Sequence, residues 1–147
     1  MSARNVTREQ VVRLARSWLG TPFHHQGRVR GVGVDCVGLV IGVARELGLV
    51  SGGFDVTGYV RQPDGTSFTR LAGAHMRRIE SWDMQPGDVV AVTFDHHPQH
   101  MGILGAYLHG GLSIIHAASA HGKVVETRLL LGGGMRFDAA YALPGVT

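Results

Sequence analysis

Apolar residues at Val11, Leu14, Ala15, Trp18 and Leu19 follow the three-and-four spacing that lines one face of a helix. Thr7 precedes them with Gln10 three residues on, a capping-box spacing, and Gly20 closes the run before Thr21-Pro22. A second stripe, Leu39, Val40, Val43 and Leu47, follows a glycine-rich stretch and stops at Gly48. Residues 21–35, with Gly27, Gly31 and Gly33, lack periodicity and read as a loop. Beyond Gln85-Pro86-Gly87-Asp88 the pattern changes to short strand-like runs at 89–92, 101–107, 112–116, 123–127 and 137–143. Gly110-Gly111 and His121-Gly122 stand between them as turns. The middle, 50–85, is weakly patterned. Leu71, Ala74 and Arg78 fit a short helix starting near Thr66 or Ser67, after a Pro63-Asp64-Gly65 turn. Helices first and about five strands afterwards predict a single α+β domain over residues 1–147.

Composition narrows the class. Of 147 residues 44% are hydrophobic and 17% charged, a globular balance with room for one core. No apolar run approaches the ~20 residues that span a bilayer, and the first residues lack the apolar segment of a secretory signal. The net charge of +3 comes from scattered basic residues without interleaved aromatics, which argues against direct nucleic-acid contact. A single cysteine excludes an internal disulfide and a multi-cysteine zinc site. Nine histidines in so short a chain bring candidate chemistry into view.

Cys36 falls at the first turn of the second predicted helix, where unsatisfied N–H groups favour a thiolate. The alternative is a small apolar residue packed in a core. A thiolate nucleophile needs a base and a third group to orient that base. His100 opens one predicted strand and His116 closes the next. If Gly110-Gly111 turns the hairpin, the two imidazoles become neighbours, with Cys36 approaching from the packed helix. Taken singly, His100 reads equally as an exposed loop residue and His116 as a satisfied core histidine. Asp95, His96, His97 and His100 raise the rival of a metal hydrolase, but Asp95-His96-His97-Pro98 has turn character and no HExxH helix is present. We therefore expect neither metal nor cofactor. His24-His25 reads as a loop pair, and Arg45 and Glu46 as a solvated helix face.

The segments Gly20-Thr21-Pro22-Phe23, Asp35-Cys36-Val37-Gly38-Leu39-Val40, His100-Met101-Gly102-Ile103 and Ile115-His116-Ala117, in that order, resemble the NlpC/P60 family of cell-wall cysteine peptidases. The resemblance spans residues 7 to 142. The fuller string Gly20-Thr21-Pro22-Phe23-His24-His25-Gln26-Gly27-Arg28 with Gly33-Val34-Asp35-Cys36-Val37-Gly38-Leu39 is similar to the branch found in phage tails and phage-derived gene transfer agents. The resemblance implies a papain-like fold and a Cys-His-His triad of Cys36 as nucleophile, His100 as base and His116 as its orienting partner. The implied substrate is the peptide stem of peptidoglycan, often cut after γ-D-glutamate. Asp35 then meets the free amine of the stem, and Val37 replaces a common serine. Phe23 stands where many members have tyrosine, so a hydroxyl near the oxyanion is missing, or His24 or His25 replaces it. The branch implies assembly in the cytoplasm on a larger tail hub or baseplate protein, work at the tail tip against the wall, and no membrane insertion. A non-enzymatic tail component with a vestigial site is the alternative.

Overall fold

A computed structural model describes residues 5–56, 67–94 and 99–147, with the backbone alone at 67–69, 71 and 99. Helix α1 (Arg8–Arg16) begins at the expected capping box: Thr7 Oγ1 accepts the Gln10 N–H at 3.1 Å, and Gln10 Oε1 accepts the Thr7 N–H at 2.8 Å. It buries Val11, Val12 and Ala15. The helix ends at Arg16, so the periodic reading fails beyond it: Trp18 is buried but Leu19 is 44% exposed. Gly20, at φ +86, turns the chain so that its N–H reaches Val124 O.

The segment read as a loop contains a small hairpin, β1 (Arg28–Val29) against β2 (Gly33–Val34). Helix α2 (Cys36–Glu46) follows, with every residue from Cys36 to Ala44 buried. Glycine inside a helix costs about 1 kcal/mol relative to alanine, yet α2 carries Gly38 and Gly42. The reason is close approach. A Cβ at Gly38 would lie 2.2 Å from Gly27 O, and one at Gly42 2.4 Å from Trp18 Cζ2. Gly48, at φ +71, ends the run as expected.

Helix α3 (Ser67–His75) holds Ala74, but Arg78 falls in strand β3 (Arg77–Ile79), an edge strand the sequence pattern did not predict. The 63–65 turn lies outside the described residues. A short 3₁₀ turn (Ser81–Asp83) leads to β4 (Val89–Phe94), β5 (Gln99–Ala106), β6 (Leu112–Ala118), β7 (Lys123–Arg128) and β8 (Met135–Ala142). These strands and β3 make one antiparallel sheet of six, in the order β3-β8-β4-β5-β6-β7, where about five strands were expected. Strand alternation divides the sheet. Val89, Ala91, Met101, Ile103, Ile115, Ala117 and Tyr141 join α1 and α2 in the main core, whereas Val90, Val92, Leu104 and Ile114 form a smaller cluster with Phe94 and Phe137. Among the described residues no helix is long and apolar enough to cross a membrane.

Candidate active site

The expected hairpin forms. Gly110 and Gly111 both have positive φ, and Tyr107 N–H donates to Gly111 O at 3.0 Å. The β5–β6 ladder runs from Ala106↔Leu112 to Ile103↔Ile115 and stops there. His100 and His116 stand just past its end, with His100 Nε2 2.8 Å from His116 Nδ1 and ring centroids 4.9 Å apart. Gly102 makes room for them, since a Cβ there would lie 2.8 Å from Ile115 O and 3.0 Å from His116 Cβ.

Both rings are neutral over the ordinary pH range. Burial pushes His100 down to about 3, with repulsion from His116 adding to it. His116, 2% exposed, is lowered to about 4 by burial and by His121, whose ring lies 6.4 Å away. Each of the two contacts, His100 Nε2–His116 Nδ1 and His116 Nε2–Thr127 Oγ1 at 3.3 Å, carries one proton whose side depends on the tautomer. In the tautomer with His100 Nε2–H donating to His116, His100 Nδ1 is the acceptor of the pair.

Cys36 begins α2, and the backbone N–H groups of Met101, Val37 and Cys36 itself lie against its sulfur. Met101 immediately follows His100, so the thiol meets β5 beside the imidazole pair. Among the described residues Sγ and the His100 ring are not hydrogen-bonded to each other. The expected thiolate is not the resting form. Burial first, and the Asp35 carboxylate second, push the thiol up to about 12 against the three N–H groups that favour the anion. A helix terminus supplies about half a unit charge, too little to offset the removal of a whole anion from water.

Asp35 is the N-cap of α2, 3% exposed, accepting from Gly38 N–H at 2.8 Å and Gln26 N–H at 2.7 Å, with Arg28 Nη1 3.1 Å away. Phe23 is half-buried against the main core, and its N–H donates to Gly122 O. His24 is exposed, its Nδ1 3.0 Å from His25 O. Neither ring is brought to the thiol by a hydrogen bond. Val37 does border open space. With Met101, Val40, Ile41, Phe54 and Met76 it lines an apolar cleft, partly open to solvent, that starts beside the site. Arg45, expected to be solvated, instead donates to Phe54 O and approaches Asp55 at 3.9 Å, while Glu46 pairs with Arg30.

The pattern reading missed Thr127, Arg28 and the capping role of Asp35. An aspartate three residues before Gly38 was a legible cap signal; the other two depend on contacts between distant segments. Asp95, His96 and His97 lie outside the described residues, and the described residues hold no cluster of three or more metal-ligating side chains.

Similarity to known proteins agrees with this arrangement. NlpC2 from Trichomonas vaginalis superposes with a TM-score of 0.67 at 18% identity, over 93% of this chain and 46% of that one. The chain thus spans less than half of that protein's length. The NlpC/p60 domain of the peptidoglycan hydrolase SagA gives a TM-score of 0.63 at 22% identity, over 93% and 99% of the two chains. An N-acetylmuramoyl-L-alanine amidase from Bacteroides uniformis gives 0.57 at 14% identity, over 91% and 97%. These likenesses show a shared papain-like α+β fold. No match was found among curated proteins. Residues 20–136, which include Cys36, His100 and His116, match the NlpC/P60 family, and the chain belongs to that family.

Proposed function

We propose that the protein is a cysteine peptidase that hydrolyses the peptide stems of peptidoglycan. The observation that carries this reading is the His100–His116 pair at 2.8 Å, at the end of a ladder where the Met101 N–H also reaches the Cys36 sulfur. In this mechanism the Cys36 thiol transfers its proton to His100 Nδ1 as sulfur attacks the scissile carbonyl. The two groups start neutral, so substrate binding has to draw thiol and imidazole together; such contacts commonly tighten only in the complex. The Cys36 N–H holds the developing oxyanion. His100 returns the proton to the leaving amine, and water, deprotonated by the same nitrogen, then releases the acyl group from sulfur. His116 holds the imidazole by accepting its Nε2–H.

We assign the cut to the bond after γ-D-glutamate. SagA is named a peptidoglycan hydrolase and the Bacteroides protein an N-acetylmuramoyl-L-alanine amidase, so the muramoyl–alanine bond is the competing target. We further propose that the enzyme rides on a phage-like tail, docked on a larger hub or baseplate protein, and opens the wall locally during DNA delivery. The likeness of residues 20–28 and 33–39 to the tail-associated branch supports that placement.

Mass spectrometry of muropeptides from purified sacculi tests the chemistry. Glycan-bound stubs ending in L-alanyl-γ-D-glutamate, with release of the peptide that begins at the third stem residue, are the expected products, and Cys36→Ala abolishes them. Release of intact stems from the glycan instead means amidase action. No release by the unaltered protein, with defective particles when the gene is deleted, leaves a structural tail component.

A further inference from the structure

One of the side chains that tie down the loop before Cys36 is Arg28, in β1 and 12% exposed. Its Nη1 reaches Gly27 O at 2.9 Å and Asp35 Oδ1 at 3.1 Å, its Nε reaches Asp55 Oδ1 at 2.9 Å, and its Nη2 reaches Val56 O at 3.0 Å. Nη1 also packs against the first turn of α2, since a Cβ on Gly38 would lie 2.9 Å from it. The guanidinium therefore bridges the N-cap of the cysteine helix to the 55–56 segment beside the apolar cleft.

The charges around the sulfur explain what such a bridge does. Asp35 directly precedes Cys36, is buried, and opposes ionisation of the thiol. Arg28 faces that carboxylate from β1, His25 Nδ1 stands 3.9 Å from it, and Asp55 and Arg45 complete the network behind Arg28. From the sheet, His100 and then His116 border the thiol's side of β5. A cation on Asp35 weakens the field that disfavours the thiolate, and burial makes this stronger than at a surface.

We propose that Arg28 is a positioning residue that offsets the Asp35 charge and so holds the Cys36 sulfur in an ionisable state for attack. The inference rests on Cys36 being the nucleophile, but its test does not need hydrolysis. The chain's single cysteine lets the rate of alkylation by iodoacetamide, followed by mass spectrometry from pH 6 to 10, report on this one thiol.

Arg28→Gln keeps donors but loses the charge, and should alkylate about tenfold more slowly, one pH unit's worth of lost ionisation. Arg28→Lys keeps the charge and should stay near the unaltered rate. Asp35→Asn, which still caps, should react faster. Adding Asp35→Asn to Arg28→Gln should restore the unaltered rate or exceed it. A purely structural clamp predicts the reverse: lysine as slow as glutamine, and no rescue in the double variant. Either result overturns the proposal. If Arg28→Gln fails to fold by circular dichroism, Asp35→Asn decides, because a rate no faster than the unaltered protein's is equally fatal. Absence of hydrolysis alongside the expected alkylation pattern would sink the peptidase reading and leave this one standing.

Discussion

Replacing His116 by asparagine exposes the electrostatics of the imidazole pair as a stability measurement. His116 is 2% exposed and lowered from 6.5 to about 4, chiefly by burial. Between those two values the unfolded chain binds a proton at this position that the folded chain refuses. Stability from this group is therefore fully present above pH 6.5, falls as the pH drops, and is exhausted near 4. Each pH unit of full difference is worth about 1.4 kcal/mol, so the window amounts to ~3 kcal/mol for His116 alone. Asparagine does not titrate, and its presence also relieves the repulsion that helps depress His100, which flattens the curve further. Urea unfolding followed by tryptophan fluorescence at pH 7 and pH 4 measures the effect. The unaltered protein should lose about 3 kcal/mol more than the His116→Asn variant over that interval. The absolute stability of the variant is not the test, since lost packing lowers it at every pH. Parallel pH curves for the two proteins would refute the claim that a buried neutral imidazole sits in β6 at position 116.

Hydrolysis should persist below the ordinary histidine range and fail as the imidazole pair takes up its first proton near pH 4, which a pH–rate profile with sacculi will show. Iodoacetamide should abolish release of stem fragments while chelators leave it unchanged; persistence of activity in a fully alkylated sample would contradict the thiol mechanism. Thr127→Val strips the hydrogen-bond partner from His116 Nε2 and leaves a buried polar nitrogen unpaired, so a loss of about 1–3 kcal/mol in denaturant unfolding is expected. Gly42→Ala gains about 1 kcal/mol in helix propensity but places a methyl 2.4 Å from the Trp18 ring. Overpacking of that kind costs about 1–3 kcal/mol, so the net change should be destabilising, with a shift in Trp18 emission.

What could be read from the chain follows the range over which each feature is specified. Thr7 and Gln10 act within one turn, and the paired glycines at 110 and 111 act within one hairpin, so both were legible. The meeting of His100 with His116 followed because a tight turn fixes antiparallel register. Leu19 was misplaced because periodicity alone carries no stop, and α1 ends when the chain turns to reach Val124 O. Strand β3 went unseen because Arg77-Arg78-Ile79 has no apolar alternation and is strand by virtue of its partner β8. The protonation of Cys36 was also misjudged, because a helix terminus is visible in sequence whereas burial is not. The bridging role of Arg28 left no periodic signal: its partners lie up to 28 positions away.

The position of β8 has a temporal consequence. β8 follows the other strands along the chain yet is laid between β3 and β4, not on an outer edge, so a growing chain holds β4 through β7 as a four-stranded ribbon with its inner margin bare. The histidine-bearing hairpin can close during that stage, whereas β3 has nothing to pair with until Met135–Ala142 emerges. Completion of the sheet thus waits until β8 has left the ribosome, and a chain cut short before Met135 would expose a sticky strand margin prone to self-association.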